Sequence, residues 1–164
     1  MRPSPRFDPT WAYLLVAAVG TIHAVVLRWV CDDAYISFRY AENFAAGHGL
    51  VFNPGERVEG YTNFAWTMLL AFGSMLGIAT PTLSLILGVA CTALGYLCWW
   101  RVHRLLFGIT HWPMALLALA ANYTFASFGT SGLETPMVIL LSGAAWWLVL
   151  EWRGAIQRPC AVLE

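Results

Sequence analysis

The chain has 164 residues, of which 59% are hydrophobic and only 11% charged, with a mean hydropathy of +0.63. Soluble domains carry about 25% charged residues, so this composition excludes an ordinary soluble protein and indicates a membrane one, as do nine Trp residues. Nine basic and nine acidic residues cancel, leaving no basic surface for nucleic acid.

Residues 11–30 form the first predicted element, an apolar span preceded by Arg2 and Arg6. The run exceeds the roughly 7–15 residues of a signal-peptide core, and no small-x-small site precedes Asp32, so it reads as an uncleaved anchor. A polar, acid-rich loop follows over 31–81. Its first helix is expected to start at Cys31 or Asp32 and to end near Ala46, with Gly47 as its stop. At 100° per residue, Ile36, Tyr40, Ala41 and Phe44 share an apolar face, and Arg39, Glu42 and Asn43 a polar one. Asp32 projects toward Arg39 and Asn43, whereas Asp33 and Ser37 project toward the apolar side. Asn53-Pro54-Gly55 is a turn signal. Gly60-Tyr61-Thr62-Asn63 then leads into a second juxtamembrane helix within 64–79, with Thr62 or Asn63 as its N-cap. That apolar stretch carries a GxxxG at Gly73 and Gly77 and is of ambiguous length, able to span or to lie at the interface.

Three more spans are predicted over 82–100, 112–128 and 136–152, against a requirement of about 17–25 apolar residues. Pro81, Pro113 and Pro136 stand at their starts, where a missing N–H does no harm. Asn122-Tyr123-Thr124 matches a glycosylation acceptor but falls inside a span and is set aside. Cys31, Cys91, Cys98 and Cys160 have neither disulfide nor metal spacing and read as packing residues.

Charge bias sets the orientation. If 64–79 does not cross, Arg2, Arg6, Arg101, Arg104, Arg153 and Arg158 all fall on the cytoplasmic side. Asp32, Asp33, Glu42, Glu56, Glu59 and Glu134 then all face outward. The expected fold is therefore an all-α membrane protein in the inner (plasma) membrane. It has a cytoplasmic N-terminus over 1–10, four transmembrane helices and a cytoplasmic tail over 153–164. Its extracytoplasmic loop over 31–81 carries two juxtamembrane helices.

Carboxylates beside hydrocarbon are costly and mark candidate functional sites. Asp32 and Asp33 could instead cap a helix, Arg39 could pair with Glu42, and Glu134 could cap the last span. The string DDAYISFRYAENFAAGHGLVFNPGERVEGYTNFAWT, followed downstream by SGLETPM, resembles the polytopic GT-C glycosyltransferases. The likeness is to the terminal arabinofuranosyltransferase-like proteins that build cell-wall arabinan. It covers roughly residues 10–155, whereas members of the family are several times longer. The chain is therefore expected to be the N-terminal portion of such a fold, and activity of this portion alone is an open point.

The resemblance implies a transfer of sugar from a polyprenyl-phosphate carrier to a glycan or glycolipid acceptor of the cell envelope, on the outer face of the membrane. Its acidic motif maps onto Asp32 and Asp33 as catalytic residues, with Asp32 in the leading role, and its second acidic position onto Glu134. Arg39, His48 and Arg57 are candidates to meet the phosphate. Glu59, Tyr61 and Asn63 complete the candidate substrate-binding set. A divalent ion on Asp32 and Asp33 is compatible with hard-cation chemistry but is not required, and no metal site is assigned. A non-catalytic assembly subunit or a glycolipid-transport component is the alternative. The transport reading expects ionisable residues at mid-span, where only His23 and the Asn122 amide come near.

Overall fold

The computed structural model describes residues 10–108 and 111–156. Among them, seven helices and no strand occur: α1 (Thr10–Val26), α2 (Ala34–Ala45), α3 (Phe64–Met75), α4 (Thr80–Phe107), α5 (Met114–Ala121), α6 (Tyr123–Phe128) and α7 (Thr135–Ile156). Arg2, Arg6, Arg158 and Cys160 lie outside the described residues.

Two helices, α4 and α7, are long and apolar enough to cross a membrane. The 28 residues of α4 rise about 42 Å at ~1.5 Å each, beyond a hydrocarbon core of about 30 Å. The helix therefore runs past the expected 82–100 and carries Arg101, His103 and Arg104 in its last turns. Along α7, Val138, Leu141, Trp146, Leu148 and Trp152 stay exposed, an outward apolar stripe suited to lipid rather than water.

The first helix is shorter than the expected 11–30. It ends at Val26, where the exiting chain is drawn against residues 127–131. Trp29 Nε1 donates to the Ser127 carbonyl at 3.0 Å, and the Cys31 amide donates to the Ser131 carbonyl at 2.8 Å.

The helix expected over 112–128 is instead two. Asn122 is extended, at φ −75 and ψ 117, and its side-chain oxygen accepts from the Phe125 amide at 2.8 Å, starting α6 afresh. Asn competes with a helical backbone through such local bonds. Near this break His23 Nδ1 meets the Ala120 carbonyl at 2.9 Å, so this mid-span ring is engaged with the backbone.

The GxxxG reading also needs correction. Gly77 lies beyond the end of α3 at φ +81, in a turn rather than on a helix face. Gly73 alone makes a close approach, to Leu83 of α4.

Helix ends segregate by charge. At one end, Tyr13 Oη lies 2.7 Å from His103 Nδ1 and donates to the His111 carbonyl at 2.8 Å, while Arg101 pairs with Glu151 at 3.7 Å. The other end holds α2, α3 and the 129–134 loop, and with them Asp32, Asp33, Glu42 and Glu134. There Thr80 Oγ1, at the start of α4, donates to Glu42 Oε1 at 2.7 Å.

The core beneath that acidic end comprises Ala34, Phe38, Ala41, Trp66, Leu70 and Ala71, joined by Leu83, Leu133 and Met137 from other elements. Trp66 is fully buried, and its indole Nε1 donates to the Gly132 carbonyl at 2.9 Å. Gly132 sits at φ +87, and a Cβ there would lie 2.8 Å from Ala34 Cβ, so only glycine fits this approach. Trp66→Phe keeps most of the ring but orphans that buried carbonyl, at a cost of about 1–3 kcal/mol. Thermal unfolding in detergent should show a lowered midpoint, and an unshifted one would mean that the bond is dispensable.

Candidate active site

Three side chains of α2 explain why the loop after it has a fixed shape. Tyr40, almost fully buried, donates to the Val58 carbonyl at 2.6 Å and accepts from the Gly60 amide at 2.9 Å. Asn43 Nδ2 donates to the Val51 and Phe52 carbonyls, both at 2.8 Å. Arg39 Nε donates to the same Phe52 carbonyl at 3.2 Å. Asn53-Pro54-Gly55 turns as expected, with the Glu56 amide on the Asn53 carbonyl at 3.1 Å. The placement of Asn43 on a polar face with Arg39 and Glu42 is corrected: it is buried. The loop folds back over α2, so an amide that would have faced water meets two carbonyls, and buried polar groups need such partners.

The helix starts close to the expected place, at Ala34 with Asp33 as the N-cap residue. Asp33 has helical φ −63 and ψ −24 and makes no side-chain capping bond, so its carboxylate is not consumed in holding the helix. The same holds for Asn63 at the start of α3, which stands at the N-cap without capping. Its amide is used elsewhere. Nδ2 donates to Glu134 Oε2 at 2.8 Å and to Ser37 Oγ at 3.0 Å, while Oδ1 accepts from Ser37 Oγ at 3.1 Å and from Thr67 Oγ1 at 3.0 Å. Glu134 therefore holds its side chain toward α3, although its backbone carbonyl begins α7.

This network gathers residues from three distant parts of the chain. Asp33, Ser37, Tyr61, Asn63 and Glu134 line one pocket of about 170 Å³. Tyr61 also lines a larger cavity of about 490 Å³ with His48, Arg57 and Glu59, so seven of the nine candidate residues line two cavities that share Tyr61. The other two do not. Asp32 is exposed and lines neither cavity. Arg39 faces a separate groove of about 360 Å³ with Tyr35, Phe38, Glu42 and Phe52. At 100° per residue those positions lie on the face of α2 opposite Asp33, Ile36 and Ser37. Arg39 makes no ion pair with Glu42 among the described residues; Glu42 is bound instead by Thr80.

Reasoning from sequence overlooked Ser37 and Thr67, which fix Asn63, and Tyr40, which fixes Tyr61 through a ring contact at 4.7 Å. The signal was present for Ser37, a hydroxyl projecting from an otherwise apolar face and therefore in need of a partner. Among the described residues no group of three or more His, Cys, Asp or Glu side chains is placed to hold a metal ion.

No family model and no solved structure matches the chain. Two curated proteins do. The chain is 35% identical over 146 residues to a terminal beta-(1->2)-arabinofuranosyltransferase of Mycobacterium tuberculosis, a match covering 80% of this chain and 23% of that protein. It is 28% identical over 130 residues to a protein of the same name from Corynebacterium glutamicum, covering 76% of this chain and 19% of the relative. The chain thus spans about a fifth to a quarter of the length of the relatives it matches. Over most of its own length, it is a relative of the terminal beta-(1->2)-arabinofuranosyltransferases.

Proposed function

We propose that this chain is part of a GT-C-type glycosyltransferase that moves a sugar from a polyprenyl-phosphate carrier to a glycan acceptor on the outer face of the membrane. The observation that carries this reading is the pocket itself. Asp33 and Glu134, far apart in sequence, converge with Asn63 at the acidic end of an apolar bundle. A sugar hydroxyl is a poor nucleophile and needs a base within hydrogen-bond reach. In the proposed step the hydroxyl oxygen attacks the anomeric carbon, its proton passes to a carboxylate, and the bond to the carrier phosphate breaks with its electron pair on the phosphate. Asp32 and Asp33 form the catalytic pair, and Asp33 takes the proton, because it lines the pocket and its side chain makes no capping bond. Glu134, oriented by Asn63, holds the acceptor beside it.

The membrane arrangement belongs to the same proposal. With α1, α4, the α5–α6 pair and α7 as four passages, Arg101, Arg104 and Arg153 fall inside and the carboxylates outside. The twelve residues of α3 rise about 18 Å, the least of these apolar segments against ~30 Å of hydrocarbon, which supports a juxtamembrane position. The first units of the carrier's tail are assigned to the largely apolar groove between the exit of α1 and the start of α4. That groove of about 300 Å³ is lined by Trp29, Val30, Pro81 and Leu85, with Arg28 at its edge. Arg28 makes no ion pair among the described residues and joins Arg39 as a cation able to meet the departing phosphate.

Sugar transfer from a polyprenyl-phosphate donor by purified membranes tests the chemistry. Asp33→Asn should lose about 10²–10⁴-fold in rate, the usual worth of a general base, with Asp32→Asn the milder of the two. The reverse order would return the leading role to Asp32, and full activity in both would remove the carboxylates from the reaction. Asn63→Ala frees Glu134 from a hydrogen bond to a charged group and should cost about tenfold or more in turnover, with membrane insertion unchanged. For topology, a thiol reagent outside the cell should label Gly55→Cys and not Arg153→Cys. Labelling of both would break the arrangement.

A further inference from the structure

The two cavities that share Tyr61 differ in size and in charge, and the difference assigns them different parts of one ligand. We propose that the larger is the subsite for the body of a neutral acceptor chain, reaching over Tyr61 so that only its terminal hydroxyl enters the pocket of Asp33 and Glu134. This rests on the glycosyltransferase reading and specifies which substrate occupies which part of the cleft.

At about 490 Å³ the larger cavity falls within the roughly 300–1,000 Å³ of ligand clefts, and the 170 Å³ pocket falls below it. The small pocket accepts a reactive end, not a whole ligand. The lining of the large one offers both hydrogen-bonding senses. Arg57 donates, Glu59 accepts, and His48 can do either. Neither Arg57 nor Glu59 is in an ion pair among the described residues, so both are open to a ligand, and their charges offset. That pairing suits a hydroxyl-rich neutral chain.

It suits a phosphate poorly. In the larger cavity Glu59 offsets Arg57, which leaves no net positive charge to draw a phosphate. Arg57 therefore serves the acceptor, and the carrier phosphate is left to cations outside the larger cavity.

The platform between the cavities is preorganised. Tyr61 contacts Tyr40 at 4.7 Å. Tyr40 in turn is held by the Val58 carbonyl and the Gly60 amide on both sides of Glu59. A Cβ on Gly60 would come within 2.9 Å of the Tyr40 hydroxyl, so the backbone passes as close as it can. A wall fixed before binding loses little entropy on binding.

The test is binding of linear arabinofuranosyl oligosaccharides, two and six units long, to the full chain in detergent, followed by calorimetry without donor. The six-unit chain should bind more tightly than the two-unit one. Arg57→Ala should weaken the longer ligand about tenfold or more, as expected for a lost hydrogen bond to a charged group, and should leave the shorter one unchanged. Tyr61→Phe should keep the length preference, and Tyr61→Ala should lose it. Length-independent binding, no binding of either oligosaccharide, or an Arg57→Ala that weakens isolated polyprenyl phosphate instead would each overturn the assignment. Binding and transfer fail separately: a chain that binds by length through Arg57 but never transfers sugar keeps the subsite and loses the reaction. One that transfers equally to all lengths keeps the reaction and loses the subsite.

Discussion

Two backbone carbonyls in the short turn before α7 hold the acidic end together. The Ser131 carbonyl takes the amide of Cys31, and the Gly132 carbonyl takes the indole of Trp66. Both are buried, and buried carbonyls without partners are rare because each costs most of the worth of a hydrogen bond. The two bonds therefore fix where the chain leaves α1 and where α3 lies. Everything in the cleft is built on that placement. Asp33 follows Cys31 by two residues, Asn63 precedes Trp66 by three, and Glu134 follows Gly132 by two.

Around this clamp, α2 acts as a partition. One face carries Asp33 and Ser37 toward Asn63 and Glu134. The opposite face carries Arg39 and Glu42 toward the start of α4. The loop from 47 to 63 closes over the helix through Tyr40 and Asn43, so a short amphipathic helix has no water-facing side of the usual extent. Its apolar residues Ala34, Phe38 and Ala41 join the core, while Tyr40 and Asn43 are buried under the loop. Its polar side chains satisfy the loop's backbone instead of solvent.

Much of this was legible in the sequence. The start of α2 to within two residues, the stop at Gly47, the turn at Asn53-Pro54-Gly55 and the helix starts marked by Pro81 and Pro136 follow from local rules, because φ preference and periodicity act within a few residues. The break at Asn122 was hidden because the residues before it are uniformly apolar, and hydropathy cannot tell a continuous span from two stacked pieces. Asn43 was misplaced for a different reason. A helical wheel supposes one wet side, and only the return of a distant loop abolishes it. The convergence of Asp33, Asn63 and Glu134 is a tertiary fact, and no spacing rule reports it. The likeness to arabinofuranosyltransferases singled out Glu134, but its hydrogen bond to Asn63 needed coordinates.

The contacts of the cleft fall into two classes of sequence separation. Those shaping the large cavity are short-range: Asn43 reaches residues 8 and 9 positions away, and Tyr40 reaches 18 and 20. Those closing the small pocket span 66 and 71 positions, from Trp66 to Gly132 and from Asn63 to Glu134. Short loops close at lower entropic cost and sooner than long ones. During synthesis, then, the wall beside Tyr61 can take shape once residues 40–61 have emerged. Glu134 arrives only after α4, α5 and α6 have followed. A ribosome-bound intermediate thus holds a preformed recess whose corner beside Asn63 stays open until the turn ahead of α7 emerges and docks.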